Sequence, residues 1–215
     1  TADDQVETVL MRVFEGAGIS GLKGIPRKTS EGVIRPILDV WKEDILEHLA
    51  ERNVPFRVDK SNRDVRFERN WIRHVLIPLL DQRFGKAVKK RIFILGERFR
   101  ELDDYLEAKA SRWIRRNMKT APPVVGRKRV DGNVPSMLFP RKRFSGLPAL
   151  LRVKVLQRIC FDRMDVVPNE RLLKSMDRSV RGGGPSARVT VGKGWELANR
   201  YDRARFALTV GGGEP

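Results

Sequence analysis

Cysteine is almost missing from this 215-residue chain: Cys160 stands alone, so no internal disulfide can form and a reducing cytoplasm is the expected compartment. Its sulfur reads as a small buried hydrophobe. The two histidines, His48 and His74, lie far apart with no second cysteine to join them, which argues against a zinc site, and no metal-ligating residues are assigned. No apolar run approaches the roughly 18 residues that a membrane helix needs. The start lacks the basic-then-apolar pattern of a signal peptide. No internal repeat is visible, and the chain opens without methionine, at Thr1, inside an expected helix start. That opening leads us to expect a cut, or a preceding segment.

What is abundant is positive charge. The chain holds 44 basic and 27 acidic side chains, net +17, and the excess is localised. Residues 1–85 carry 14 of each sign; residues 86–160 carry 20 basic and 6 acidic; residues 161–215 carry 10 and 7. A neutral segment followed by a basic one fits a catalytic body joined to a polyanion-binding module. A solubilising charged surface is the plainer alternative. With 40% apolar and 33% charged residues, the composition is that of a globular chain.

TADDQVETVLMRVFEGAG predicts a helix capped by Thr1, with Val6, Val9, Leu10 and Val13 at helical spacing and Gly16 and Gly18 at its end. After a glycine-rich loop, GVIRPILDV predicts a buried strand. A helix is expected over 41–52, with Asp39 as its cap and Asn53 as its stop. VPFRVDKSNRDVRF is extended or turn-like, through Pro55, Asp59, Ser61 and Asn62. FERNWIRHVLIPLL then resumes as a helix striped by Ile72, Val75, Leu76, Leu79 and Leu80, kinked at Pro78. From 86 to 118 a long helix carries Val88, Ile92, Leu95, Phe99, Leu102 and Leu106 as a narrow packing seam. A hairpin is expected around Asp131, Gly132 and Asn133, then two helices over 147–161 and 168–180. Three short strands close the chain, turning at Gly192–Gly194 and near Asp202, before a frayed GGGEP tail.

Three constellations could carry chemistry. Asp3, Asp4 and Glu7 share one turn of the first helix; they either complement its dipole or crowd together to receive a cation, a metal or an ammonium. Arg66, Arg69 and Arg73 recur at helical spacing, and Arg69 and Arg73 lie beside the Ile72/Leu76/Leu80 stripe, where arginines either cover the core edge or fork onto phosphates. The basic stretch brings Arg115, Arg116, Arg127, Lys128, Arg129, Arg141, Lys142 and Arg143 among Trp113, Phe139 and Phe144. That mixture suits an RNA backbone with stacked bases, although spacing alone does not separate tRNA from DNA.

ADDQVET, GAGISGLKGI, IRPIL, DKSNRD and RNWIRHVLIPLL, in this order and spacing, resemble the tRNA(Ile)-lysidine synthetases, which are N-type ATP pyrophosphatases. The match is dense over residues 1–83 and looser beyond, where the long helix, LPALLRVKVLQRI and WELANRYDRARFAL resemble the family's tRNA-binding domain. The resemblance implies an α/β architecture in three parts. Residues 1–84 would be the C-terminal part of a Rossmann-like ATP pyrophosphatase domain, 85–120 a linker helix, and 121–212 a small α+β tRNA-binding domain.

It also implies a reaction. ATP, with Mg²⁺, would adenylylate the carbon-2 carbonyl of the wobble cytidine in a tRNA(Ile) with a CAU anticodon. The ε-amine of free L-lysine would then displace AMP, giving lysidine. By the same resemblance Asp4 and Glu7, with Asp3, would hold lysine, and Arg69 and Arg73 would be catalytic, facing phosphate charge or the cytidine. Expected partners are tRNA(Ile) and free L-lysine, with a homodimer as a further option and no membrane. One departure is plain: the family's phosphate-gripping SGGxDS loop does not occur in these 215 residues, nor does the histidine that usually precedes the Thr1 position. The chain alone is therefore expected to be inactive. Two other classes stay open, a non-catalytic RNA-binding module and a tRNA thiolase of the same ATP pyrophosphatase group, although the latter usually needs paired cysteines.

Overall fold

The computed structural model of the chain describes residues 1–29, 31–57, 64–121, 124–125, 128–129 and 136–208. The hairpin expected near Asp131, the turn residues Asp59, Ser61 and Asn62, Arg127 and the GGGEP tail lie outside them. Two compact units divide the chain, Thr1–Asp104 and Tyr105–Pro215.

In the first unit, α1 (Ala2–Phe14) starts as its sequence predicts. The Thr1 hydroxyl and the Asp4 carboxylate form a reciprocal capping box over the first turn. Val6 and Leu10 bury one face of α1 against Ile72 and Ile77. Gln5 fixes the following loop and its short helix α2 (Ile19–Leu22): its side-chain amide donates to the Ile25 carbonyl at 2.9 Å and accepts from the Ile25 N–H at 2.8 Å. Helix α3 (Lys42–Glu51) begins after Trp41, and Asn53 stops it at φ 51°. Asp39 is not its cap. The Lys42 N–H donates instead to the Asp3 carboxylate at 2.8 Å, so Asp3 caps a helix 39 residues away.

The expected strand over GVIRPILDV is absent. Residues 36–39 form turns, a single isolated bridge joins Lys28 to Ile34, and only Leu38 of the apolar run is buried, while Val33, Ile34 and Ile37 are exposed. Pro36 removes a ladder donor in the middle of the run, which favours turns over a paired strand. The kink expected at Pro78 takes the form of a π turn. Helix α4 (Glu68–Trp71) passes through Ile72–Leu76 in π geometry into α5 (Ile77–Phe84). Proline cannot donate to the carbonyl four residues back and its ring crowds that carbonyl, and a local widening of the helix relieves both.

Helix α6 spans Val88–Asn117, and the boundary between the units falls within it. Its first half does not present the expected seam: Leu95 and Leu102 are exposed. The inner face instead carries Gly96, Arg100 and Asp103. A Cβ on Gly96 would sit 2.9 Å from Val9 Cγ2, so glycine permits a close approach of α6 to α1. Asp103, 2% exposed, accepts from the Ser20 hydroxyl at 2.7 Å and from Lys23 Nζ at 2.6 Å. Arg100 donates to the carbonyls of Lys23 and Ile25, both at 3.0 Å. Polar bonds to the α2 loop, not a leucine ladder, fix this face.

The second unit is an antiparallel sheet covered on one face by helices. Five strands run in the order β1 (Lys119–Ala121), β4 (Ser136–Pro140), β7 (Arg203–Leu208), β6 (Trp195–Arg200), β5 (Arg188–Gly192); β2 (Val124–Val125) and β3 (Lys128–Arg129) pair separately. The three closing strands and the helices α8 (Ala149–Met164) and α9 (Glu170–Gly182) follow the sequence reading closely. With the short α7 (Arg141–Ser145), they bury Met137, Phe139, Phe144, Ile159, Met176, Leu197 and Phe206. Cys160 lies in this core with its thiol pushed up to about 12 by burial, which makes it an inert packing residue. Among the described residues, no helix is long and apolar enough to cross a membrane.

Candidate functional site

In the first unit the structure gathers Asp4, Glu7, Arg69 and Arg73 and separates Asp3 from them. α1 offers Asp4 and Glu7 from one side, three residues apart; α4 and the π turn offer Arg69 and Arg73 from the other. Glu7 is fully buried. Arg73 forks onto it, Nε donating to Oε1 at 2.5 Å and Nη2 to Oε2 at 2.9 Å, and Nη2 also donates to Asp4 Oδ1 at 3.1 Å. The other Asp4 oxygen accepts from the Thr1 hydroxyl at 2.6 Å. Asp3 turns away to cap α3 and lies 3.5 Å from Lys89 Nζ.

Burial pushes the Glu7 carboxyl above its ordinary value, against the opposing pull of Arg73. Donating to the Glu7 carboxylate raises Arg73 in return. For Asp4, burial acts upward, but the Thr1 hydrogen bonds and Arg73 outweigh it and hold the carboxyl below its usual range. Both Glu7 oxygens are thus already matched by Arg73, so Glu7 is not waiting for an incoming cation, whereas Asp4 takes one Arg73 bond and borders an open cleft. Among the described residues no group of three or more His, Cys, Asp or Glu side chains gathers to hold a metal. With Glu7 gripped by Arg73, these acids do not fit a Mg²⁺ site, and no step is derived through one.

Arg69 differs from Arg73. It lies 44% exposed, one Nη donates to the Thr8 hydroxyl at 2.9 Å, and Glu7 is 3.8 Å from its Nε. It borders a cleft of about 440 Å³ shared with Thr1, Asp4, Arg35 and the apolar wall Ile25, Ile34, Ile37 and Leu38. Arg35 was not singled out from the sequence. Only its place in this cleft marks it, and one Nη is held by the Pro26 carbonyl at 3.0 Å. The arrangement offers one carboxylate, two guanidinium groups and an aliphatic surface, a set suited to a small zwitterion with a hydrocarbon stem. Arg66 lies outside it, paired with Asp64.

The basic residues of the second unit divide in the same way. Arg141 is structural: its guanidinium donates to the carbonyls of Val180 at 2.8 Å, Tyr201 at 3.0 Å and Gly183 at 2.6 Å. Arg152 pairs with Asp177 at 2.6 Å, and Lys154 with Glu107 at 3.0 Å. Arg115, Arg116, Lys142 and Arg143 are exposed, Arg143 donating to Asn117 Oδ1 at 3.1 Å. Lys128 and Arg129 lie on β3, and Arg127 is outside the described residues. The stacking role suggested for Trp113, Phe139 and Phe144 does not hold. Phe139 and Phe144 are buried, and Trp113 packs edge-on against both, with ring centroids 5.7 and 5.9 Å away. These rings build the core and are not available to bases.

A basic stripe escaped the sequence reading. Arg171, Lys174, Arg178 and Arg181 fall within an arc of about 80° on α9, along roughly 15 Å of helix. All four are exposed, while Leu173, Met176 and Val180 bury the opposite face. Lys174, Arg178 and Arg181 line a cleft of about 640 Å³ with Ser145 and Val153. The three-and-four spacing of cations in ERLLKSMDRSVR is the signal that could have found it.

Known proteins resemble part of the chain. Residues 1–80 match the family described as the PP-loop domain. The tRNA(Ile)-lysidine synthase of Porphyromonas gingivalis is 43% identical over 81 residues, covering 38% of this chain and 18% of the relative. That of Chlorobaculum tepidum is 37% identical over 111 residues, 52% of this chain and 33% of the relative. That of Chlamydia muridarum is 41% identical over 113 residues, 51% of this chain and 35% of the relative. The matched segments thus span about a third or less of these curated relatives.

Proposed function

The chain belongs to the tRNA(Ile)-lysidine synthetase family, and from that premise we propose that it serves ATP-dependent ligation of lysine to the wobble cytidine of tRNA(Ile). The PP-loop match supports ATP as the activating substrate. In the proposed reaction the cytidine carbonyl oxygen attacks the α-phosphate, releasing pyrophosphate. The lysine ε-amine then adds at carbon 2, loses its protons, and expels AMP with the oxygen. Such an RNA-modifying ligase would work in the cytoplasm.

One observation carries the lysine part: the cleft that joins Asp4 to Arg69 and Arg35 beside an aliphatic wall. In this proposal Asp4 takes the α-ammonium, and Arg69 or Arg35 takes the α-carboxylate. The four-carbon stem lies along Ile34 and Ile37, leaving the ε-amine free to act as nucleophile. Glu7 and Arg73 are positioning residues, since their fork holds Asp4 and the Arg69 helix in place. Asp3 is left out of the lysine site. The exposed cations of the second unit would hold the tRNA backbone as point charges.

Asp4→Asn is the test. Asparagine keeps an oxygen for the Thr1 cap but loses the charge, so the full-length protein should fold and its lysine KM should rise at least about tenfold, the lower range for a hydrogen bond to a charged group. The KM for ATP should stay unchanged. A raised ATP KM with an unaltered lysine KM would remove Asp4 from the lysine site.

A further inference from the structure

The outer face of the five-stranded sheet, the one turned away from the helices, carries an arginine that has no paired anion among the described residues. In an antiparallel ladder, directly opposed residues share a face. Arg205 on β7 is opposed by Leu138 and Ala198, and Arg203 by Pro140 and Arg200. Arg200, Arg203 and Arg205 therefore share one face, Arg203 and Arg205 about 6.8 Å apart along the strand. The core-forming Ala204 and Phe206 point the other way.

Arg205 is only 8% exposed, and its buried Nε has no hydrogen-bond partner. Charged side chains are almost never this buried without a counter-charge. Burial, followed by the nearby Arg200, pushes its guanidinium below its ordinary value. Arg200 and Arg203 sit directly across from each other, an arrangement of like charges that destabilises a sheet. The nearest acids do not relieve it. Asp202 is 81% exposed and 3.7 Å from Arg203, while Glu196 is taken by Arg188 at 3.0 Å. Among the described residues, Arg203 thus has one exposed carboxylate at long range, while the recessed Arg205 has no paired anion.

We propose that Arg205, with Arg200 and Arg203 at its rim, forms a phosphate-binding site on the outer sheet face that receives a backbone phosphodiester of the bound RNA. The proposal rests on the reading of this chain as a tRNA-binding protein, and it adds a site on the opposite side of the sheet from the α9 stripe. A phosphate there would accept from the recessed guanidinium in a forked geometry and screen the Arg200–Arg203 repulsion. Free inorganic phosphate offers the same chemistry, so the two sources are separated by experiment.

Arg205→Met replaces the cation with an apolar chain of similar length. Removing an unpaired buried charge should leave the thermal midpoint unchanged or higher. tRNA affinity, by filter binding with the full-length protein at low salt, should fall about tenfold, and the log–log salt slope should flatten by roughly 0.7 to 0.9. The double variant Arg200→Gln/Arg203→Gln changes only exposed positions and should weaken tRNA binding as well. If it left affinity intact the proposal would fall, even if Arg205→Met failed to fold. Unchanged tRNA affinity in Arg205→Met likewise overturns it. So does a midpoint shift by inorganic phosphate that needs Arg205 while tRNA affinity does not. If the unsubstituted protein bound no tRNA, both this site and the tRNA-binding reading would be wrong; unchanged binding by the variants ends this site alone.

Discussion

Glu7→Gln in the full-length protein should lower the stability of the first unit by about 3 kcal/mol, read as a fall in the urea midpoint without a change in slope. Glu7 is completely buried and receives two bonds from Arg73, whose side chain is 22% exposed. Glutamine would keep the shape but leave that guanidinium facing a neutral amide. Removing one partner of such a pair costs far more than the pair contributes, because the remaining charge stays desolvated. Replacing both, Glu7→Met with Arg73→Met, should therefore recover most of the loss. Asp3→Ala should cost only about 1 kcal/mol, the usual value of a helix cap. Equal, small losses for Glu7→Gln and Asp3→Ala would show that the Glu7–Arg73 fork does not hold this unit together.

The second large effect concerns salt. Binding of tRNA through about six phosphates gives a log–log slope of roughly −4 to −5. Reversing Lys174, Arg178 and Arg181 to glutamate should flatten it by about 2 to 3 and reduce affinity by several orders of magnitude at low salt, through lost counterion release and added repulsion. All three lie on the exposed face of α9, so the fold should survive. Lys142→Glu, also exposed, should have a smaller effect in the same direction. Arg141→Glu is a poor probe, since its guanidinium ties α7 to the end of α9 and to the β6–β7 turn. An unaltered slope in the α9 triple variant would reduce that stripe to a solvated surface.

Local signals carried much of this fold. The Thr1 cap, the glycine and asparagine stops and the alternating closing strands depend on neighbouring residues, and each appears where its pattern predicts. What depends on distant partners was not legible. Leu95 and Leu102 looked like a seam, but Gly96 and the pairing of Asp103 with Ser20 and Lys23, some 80 residues away, rotate the inner face of α6. Pro36 turned an apolar run into turns. The acids of α1 appeared unpaired because their partners lie more than 60 residues along the chain, on α4 and the π turn. Sequence brought Asp4, Glu7, Arg69 and Arg73 into view as two separate groups, while their union and the place of Arg35 came from folding. Arg205 gave no signal at all, since an arginine in an alternating strand reads as solvent-facing.

The proposed attachment of lysine to a tRNA base is tested by following the lysine itself. The full-length protein is incubated with ATP, radiolabelled lysine and a tRNA(Ile) transcript bearing a CAU anticodon, and label retained on the RNA is counted with AMP released. The expected result is one lysine per tRNA with one AMP, stable to mild base that would cleave an aminoacyl ester, and neither when the wobble cytidine is replaced by uridine. AMP release without lysine on the RNA, or label that mild base removes from the 3′ end, would contradict it.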